Sequence, residues 1–295
     1  QEQPLAIQLG GSDPAQLAEA ARRAEQAGYT EVNLNCGCPS DRVRSGAFGA
    51  CLMLRPALVA GCVAAMKQAV RIPVTVKFRI GVVDRDAAGG SAAALERGQQ
   101  FDGEDAQALH GFAAGLIDAG ADLLVVHARK AVLGGLSPHE NRTVPPLRHE
   151  AVEALRDALR REAGARQATP VPVVVNGGLR TADAVRIALG RFDGAMIGRE
   201  AYHRPQLLAE IEALRDPHGT RIPSTTDVLA AMHEYVRRET RAGTPLHAIT
   251  RHMLGLMSGQ PGARALRQLL SQDAQRGRPA DEVFAAALRL VDEAA

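Results

Sequence analysis

The sequence predicts an α/β fold: a (β/α)8 TIM barrel that lacks its first two βα units and is followed by a C-terminal helical domain. Three observations predict it. Apolar runs of strand length alternate with helical stretches from the start of the chain to about Arg199. Nearly every such run ends on a polar residue. Beyond His203 the strand patterns stop and only helical ones continue. The expected division is therefore 1–202 for the barrel, holding strands three to eight, and 203–295 for the helical domain.

The strands are expected at Leu5–Gly10, Glu31–Asn35, Val74–Ile80, Asp122–Ala128, Val171–Asn176 and Gly194–Gly198. Between them lie helices at Pro14–Ala27, Pro56–Val70, Ala106–Ala119, His149–Ala163 and Thr181–Leu189, with apolar residues three and four apart. Strands that are apolar along their length and joined by helical crossovers form a parallel sheet covered on both faces. A doubly wound sheet fits that pattern too, but the strand ends favour a barrel. Gln8, Asn35, Lys77 with Arg79, His127 with Arg129, Asn176 and Arg199 would all converge on one mouth. A barrel has eight strands, and the chain opens directly on one, so the missing pair is expected at the front. Gln1 is not a methionine, which agrees with a chain that begins inside a longer one. The segment Val83–Asp105, rich in Ala, Gly, Asp and Arg, reads as a flexible loop. In the second part, helices are expected at Val228–Arg241, Leu246–Met257, Ala263–Gln272 and Glu282–Glu293.

Composition excludes several classes. At 46% hydrophobic and 23% charged, the 295 residues are of ordinary globular type. No apolar run reaches the roughly 18–20 residues of a membrane span, and no secretion signal opens the chain, so a soluble cytoplasmic protein is expected. A monomer is expected as well. Cys36, Cys38, Cys51 and Cys62 fall in one stretch with no second cluster of ligands, so no metal site is expected. Net charge is only +2, and of 35 basic residues three are lysine: Lys67, Lys77 and Lys130. A lysine inside an apolar strand therefore stands out as a candidate functional residue.

The chemistry gathers at strand ends. Asn176-Gly177-Gly178 closes a strand, and Thr181 can cap the helix that follows, while Gly198-Arg199 repeats the arrangement one strand later. Loops after the last two strands of a barrel often hold phosphate; the bland alternative is two ordinary glycine turns. Thr75, Lys77 and Arg79 share one face of their strand. An ammonium inside a barrel needs a partner, either a carboxylate or an electron-rich cofactor. His127 is either a hydrogen-bonded core histidine or a ligand residue. Cys38 follows a strand in Asn35-Cys36-Gly37-Cys38-Pro39, where Gly37 permits a sharp turn and Pro39 stiffens it, which can hold the thiol at the mouth. The thiol could act as nucleophile, metal ligand or proton donor. Cys36 is expected to be buried packing. Between Val236 and Pro279 eight arginines face two acids, a local charge of +6 that can follow a phosphate backbone or can be a solvated helix face.

Taken together, these motifs resemble a family. Ala6–Gly11, Asn33–Arg42, Gly49–Met53, Val76–Gly81, Val126–Lys130, Leu136–Arg142, Pro145–Arg148, Asn176–Gly178, Gly198–Arg199 and Arg251–Met253 resemble, in order, segments of the tRNA-dihydrouridine synthases of the A-type bacterial kind. The resemblance spans nearly the whole chain. It implies FMN held at its ring by Gln8, Lys77 and His127 and at its phosphate by Asn176, Gly177, Gly178, Gly198 and Arg199. It implies NADPH as the reductant, a uridine of the tRNA D-loop as the substrate and Cys38 as the acid. Asn35 would hold the target base, flipped from its stack. Asn141, Arg142, Arg264 and Arg267 are similar to RNA-contacting positions.

The chain departs from the family twice. The opening strands, with an Ala-Pro-Met segment, have no counterpart, and Ala87–Gly103 looks inserted. Two other functions stay open on the sequence: an FMN-dependent barrel oxidoreductase of a free small molecule, and a non-catalytic RNA-binding remnant.

Overall fold

The computed structural model describes residues 3–40, 46, 48–215 and 221–294; Asp41 and Arg42, the tail of the cysteine motif, lie outside them. The chain divides into two compact units, Gln1–Gly178 with Ile187–Met196, and Leu179–Arg186 with Ile197–Ala295.

The first unit is built on six strands: β1 (Ala6–Leu9), β2 (Glu31–Cys36), β3 (Val74–Arg79), β5 (Leu123–His127), β7 (Val173–Asn176) and β8 (Gly194–Met196). They pair only in parallel and lie in chain order, β1-β2-β3-β5-β7-β8. A doubly wound sheet would reverse its order at a switch point. Unbroken chain order is that of a barrel wall, so the strand order settles what apolar patterning left open.

Register explains the sequence of each strand. Pairing of Gln8 with Asn33, Asn33 with Thr75, Asn35 with Lys77, Arg79 with His127 and His127 with Asn176 puts all these polar side chains on one face. The other face carries Val32, Leu34, Cys36, Val74, Val76, Phe78, Leu124, Val126, Val173 and Val175, all with essentially no exposure. Full burial of such side chains is worth about 1.5–3 kcal/mol each, so that face is fixed by the hydrophobic effect and the polar face is left for function.

The crossover helices cover the apolar face. Helix α1 (Pro14–Gln26) starts where the Asp13 carboxylate accepts from the Gln16 N–H at 2.8 Å, with Pro14 in the first turn, and it buries Leu17, Ala21 and Ala24. Helix α2 (Pro56–Ala69) buries Val59, Cys62, Val63 and Met66. Its Lys67 reaches the Asp122 carboxylate at 2.6 Å, and the same carboxylate accepts from the Val74 N–H.

The expected loop Val83–Asp105 is ordered instead. Strand β4 (Val82–Asp84) pairs in parallel with β6 (Ala131–Leu133) in a second, two-stranded sheet, and helix α3 (Ser91–Gln99) packs on it. A Cβ on Gly98 would stand 2.6 Å from Val132 Cγ2, and Ala94 is fully buried. The small residues that made this stretch look structureless are what let the helix approach the sheet. Helix α4 (Gly103–Asp118) follows, opened by a capping box between Asp102 and Asp105. Its Phe112 packs edge-on against Phe78 at 5.1 Å. Helix α5 (His149–Ala165) buries Ala151, Val152, Leu155 and Leu159.

The remaining helices are α6 (Ala182–Leu189), α7 (Arg199–His203), α8 (Gln206–Arg215), α9 (Thr225–Arg241), α10 (Leu246–Thr250), α11 (Ala263–Gln268) and α12 (Ala280–Ala294). The second unit has its own core, including Leu229, Val236, Met253, Leu266, Leu270, Val283 and Phe284. The single helix expected over Leu246–Met257 ends at Thr250 and gives way to turns. Gly255 there lies so close to the His203 carbonyl that a Cβ would collide with it. Ala263–Gln272 is α11 continued by a π-helical turn, Leu269–Asp273, around which the Thr250 hydroxyl donates to the Leu270 carbonyl at 2.6 Å. Among the described residues no helix is long and apolar enough to cross a membrane.

Candidate active site

The polar face of the sheet is wired from its base. The Gln8 Nε2 donates to Asn33 Oδ1 at 2.7 Å, the Asn33 Nδ2 to the Thr75 hydroxyl at 2.7 Å, and that hydroxyl to the Glu31 carboxylate at 2.6 Å. Above this ladder, at the C-terminal ends of β2 and β3, sit Asn35 and Lys77.

The Cys38 loop is held through its backbone. Asn35 Oδ1 accepts from the Gly37 N–H at 3.0 Å and the Cys38 N–H at 3.1 Å, the Arg79 Nε donates to the Gly37 carbonyl at 2.9 Å, and the Ala50 N–H donates to the Cys38 carbonyl. All four polar groups of residues 37 and 38 are therefore engaged. Cys38 is partly exposed, and its Sγ lies 3.5 Å from the Ser40 hydroxyl. Cys36, two residues earlier, points to the opposite face and is fully buried, and burial pushes its thiol far above the ordinary range. It is locked as a neutral packing group, as expected. The Asn35 Nδ2 makes no hydrogen bond among the described residues, so this amide can meet a ligand while its oxygen holds the loop.

Lys77 lies between Asn35 and Val125 in register. It forms no hydrogen bond or ion pair among the described residues, and burial, helped by the nearby Arg79 charge, lowers its ammonium to about 8, with Cys38 acting in the opposite sense. A desolvated ammonium without a carboxylate calls for an electron-rich guest. His127 is buried and faces the turn Gly177-Gly178, whose φ angles are +108° and +73°. A Cβ on Gly177 would stand 2.7 Å from the His127 Cδ2, and one on Gly178 would strike Leu147, so both positions require glycine. The Asn176 Nδ2 donates to the Met196 carbonyl at 2.8 Å, which ties the ends of β7 and β8 together. The buried ammonium fits an electron-rich cofactor.

Most of the cations around the mouth grip backbone. Arg79 is 3% exposed and bonds three carbonyls, of Gly37, Lys130 and Asn141. Hydrogen bonds from charged groups are worth about 1.5–3 kcal/mol each. Arg129 donates to the Pro145 and Thr143 carbonyls, Arg148 to the Gln99 carbonyl, and Lys130, 2% exposed, to the Asp105 carboxylate at 2.6 Å and the Arg97 carbonyl at 3.3 Å. Lys130 and Arg148 thus fasten segment 97–105 to the mouth loops. Their roles, and the Glu31–Thr75–Asn33 ladder, were not anticipated; strict alternation along the strands is the signal that could have marked the ladder.

One expected RNA-contacting residue is corrected. Asn141 has no exposure; its Nδ2 donates to the Val132 and Leu136 carbonyls, and its Oδ1 accepts from the Val132 N–H at 2.7 Å. Its amide is spent on the loop 132–141, which leaves nothing to offer an RNA. The neighbouring Arg142 is half-buried, and its Nε has no partner among the described residues.

In the second unit Gly198 caps the short helix α7, which begins at Arg199; both are exposed. The Thr181 hydroxyl accepts from the Ala184 N–H at 3.1 Å, as expected of a cap. The arginine-rich stretch is partly neutralised by pairs: Arg237 with Asp281, Arg238 with Glu239, and Arg276 and Arg278 with Asp273. Arg241, Arg251, Arg264 and Arg267 are exposed and form no ion pair among the described residues. No cluster of three or more metal-ligating side chains occurs among the described residues.

The profile of the dihydrouridine synthase family matches residues 1–292. Three similar proteins bear the name tRNA-dihydrouridine(20/20a) synthase. That of Xanthomonas campestris pv. campestris is 46% identical over 294 residues, covering 100% of this chain and 79% of the relative. That of Pseudomonas aeruginosa is 46% identical, covering 98% and 79%, and that of Pseudomonas putida 44% identical, covering 98% and 78%.

Proposed function

Since the chain belongs to the dihydrouridine synthase family, an oxidoreductase family, we propose that it reduces the C5–C6 double bond of uridine in the D-loop of tRNA, with FMN as cofactor and NADPH as reductant. The observation that carries this reading is Cys38, a partly exposed thiol just beyond β2 whose own backbone N–H and carbonyl are both bonded, near Lys77, a cation with no ion pair among the described residues.

When bound, the flavin supplies the hydride that reaches C6. Lys77, Gln8 and His127 would hold its ring, and Asn176, Gly177, Gly178, Gly198 and Arg199 its phosphate. Lys77 stabilises negative charge next to the ring. Cys38 gives its proton to C5, so the two hydrogens enter at opposite ends of the bond. The Asn35 amide nitrogen is free to meet a uracil carbonyl, which orients the flipped base. Arg142 at the mouth, and Arg264 and Arg267 on the helical domain (203–295), would meet the RNA backbone, in the cytoplasm. Positions 20 and 20a, for which the relatives are named, are the target uridines.

The test incubates the protein with unmodified tRNA, FMN and NADPH and measures dihydrouridine. NADPH oxidation without any dihydrouridine would defeat the reading. Cys38→Ala is expected to lower uridine reduction by roughly 10²–10⁴-fold while NADPH still reduces the flavin. Equal loss of both half-reactions would reassign the thiol.

A further inference from the structure

We propose that Arg79 is the positioning residue of Cys38: it clamps the peptide that aims the thiol and sets a buried positive charge beside the sulfur, which stabilises the thiolate left when the proton departs. The inference rests on the reading of Cys38 as the acid and goes beyond it.

The clamp is visible in the bonding. The peptide group that joins residues 37 and 38 has its carbonyl taken by the Arg79 Nε at 2.9 Å and its N–H taken by Asn35 at 3.1 Å. The Arg79 Nη1 meanwhile bonds Lys130 and Asn141, so one guanidinium joins the cysteine loop to the β5–β6 connection and to the 140–142 turn. Only a rigid planar fork can serve three carbonyls from three segments; a lysine presents a single point charge on a flexible stem. With its backbone fixed at both sides, the Cys38 sulfur retains only rotation about its own side chain.

The charge is left over. All three bonds of Arg79 end on neutral carbonyls, and among the described residues it has no carboxylate partner. The groups that act on it are Cys38, which favours its charged form, and Arg142 and Arg129, which oppose it; burial outweighs them all and lowers the guanidinium to about 10. Lys77 lies alongside. When the S–H bond of Cys38 breaks, the proton forms the new C5–H bond and the electron pair stays on sulfur. A thiolate is then what Arg79 and Lys77 face, and it satisfies the charge that the neutral carbonyls leave uncompensated.

The flavin-loaded, full-length protein provides the test, with Arg79→Met and Arg79→Lys. Arg79→Met is expected to raise the pH midpoint for iodoacetamide alkylation of the peptide carrying Cys38. It should slow oxidation of the reduced enzyme by tRNA roughly 10²-fold while NADPH-driven flavin reduction is unchanged. Arg79→Lys should keep the midpoint near that of the parent yet lose most of the rate, which separates charge from geometry. An unmoved midpoint in Arg79→Met, or equal loss of both half-reactions, overturns the proposal. Should Arg79→Met fail to fold, hydrogen exchange of the parent decides: an Arg79 Nε–H that exchanges as fast as that of an exposed arginine would show there is no clamp. If Cys38→Ala retains uridine reduction, the acid reading itself falls. If Cys38→Ala is inactive and Arg79→Met fully active, only this inference falls.

Discussion

Arginine serves two ends in this chain, and one group of arginines from each unit shows the contrast. In the first unit Arg79, Arg129 and Arg148 turn onto backbone carbonyls, so their N–H donors are spent on joining loops. In the second unit Arg241, Arg251, Arg264 and Arg267 stand in solvent with no acid to neutralise them among the described residues. The same residue type is mortar in one group and free charge in the other. Burial and the identity of the acceptor decide which, and neither can be read from a count of charges.

The sharpest way to break this contrast is to remove a joint in the first unit. Asn141→Ala deletes the side chain that organises loop 132–141 beneath the Arg79 fork and leaves buried carbonyls unpaired. A loss of about 2–4 kcal/mol in urea unfolding is expected. A change below 0.5 kcal/mol would mean that the mouth loops do not depend on that joint.

The complementary test removes free charge. Arg264→Ala with Arg267→Ala should leave stability within about 0.5 kcal/mol, because both side chains are exposed. Affinity for tRNA should fall, and the slope of log K against log salt should shrink by about 1–2. Unchanged binding and slope would place the RNA elsewhere.

A smaller effect concerns Lys77, the mouth cation that forms no hydrogen bond or ion pair among the described residues. Its folded value near 8 lies below that of an unfolded lysine, so between about pH 8 and 10 the unfolded chain binds more protons and stability rises with pH. In the apo protein, the parent should gain stability relative to Lys77→Met across that window. A difference that is flat with pH would show that the ammonium is not desolvated.

How much of this the sequence foretold follows from what kind of information each feature carries. All six wall strands were legible within a residue or two, because a parallel wall needs apolar residues on one face and polar strand ends at the other. Capped helices such as α1 were legible for a similar local reason. The sheet β4–β6 and helix α3 were not, since Ala94 and Gly98 make their contribution by being small, which reads as absence of pattern. Asn141 was misread because an amide looks the same whether its partner will be a base or a backbone carbonyl. The arginine-rich stretch was overcounted because Asp281, which pairs with Arg237, lies outside the window that was summed.

The ladder beneath the site has a direction. Glu31 as a carboxylate can only accept, so the Thr75 hydroxyl must point its hydrogen at Glu31 and turn its lone pairs to Asn33. That fixes which end of the Asn33 amide faces β3 and, in turn, which end of Gln8 faces Asn33. The last member therefore presents a carbonyl oxygen to whatever lies beside it, with no partner of its own among the described residues. An anion at the foot of β2 thus makes the amide at the end of β1 an acceptor of hydrogen bonds two strands' width of wiring away, without touching it.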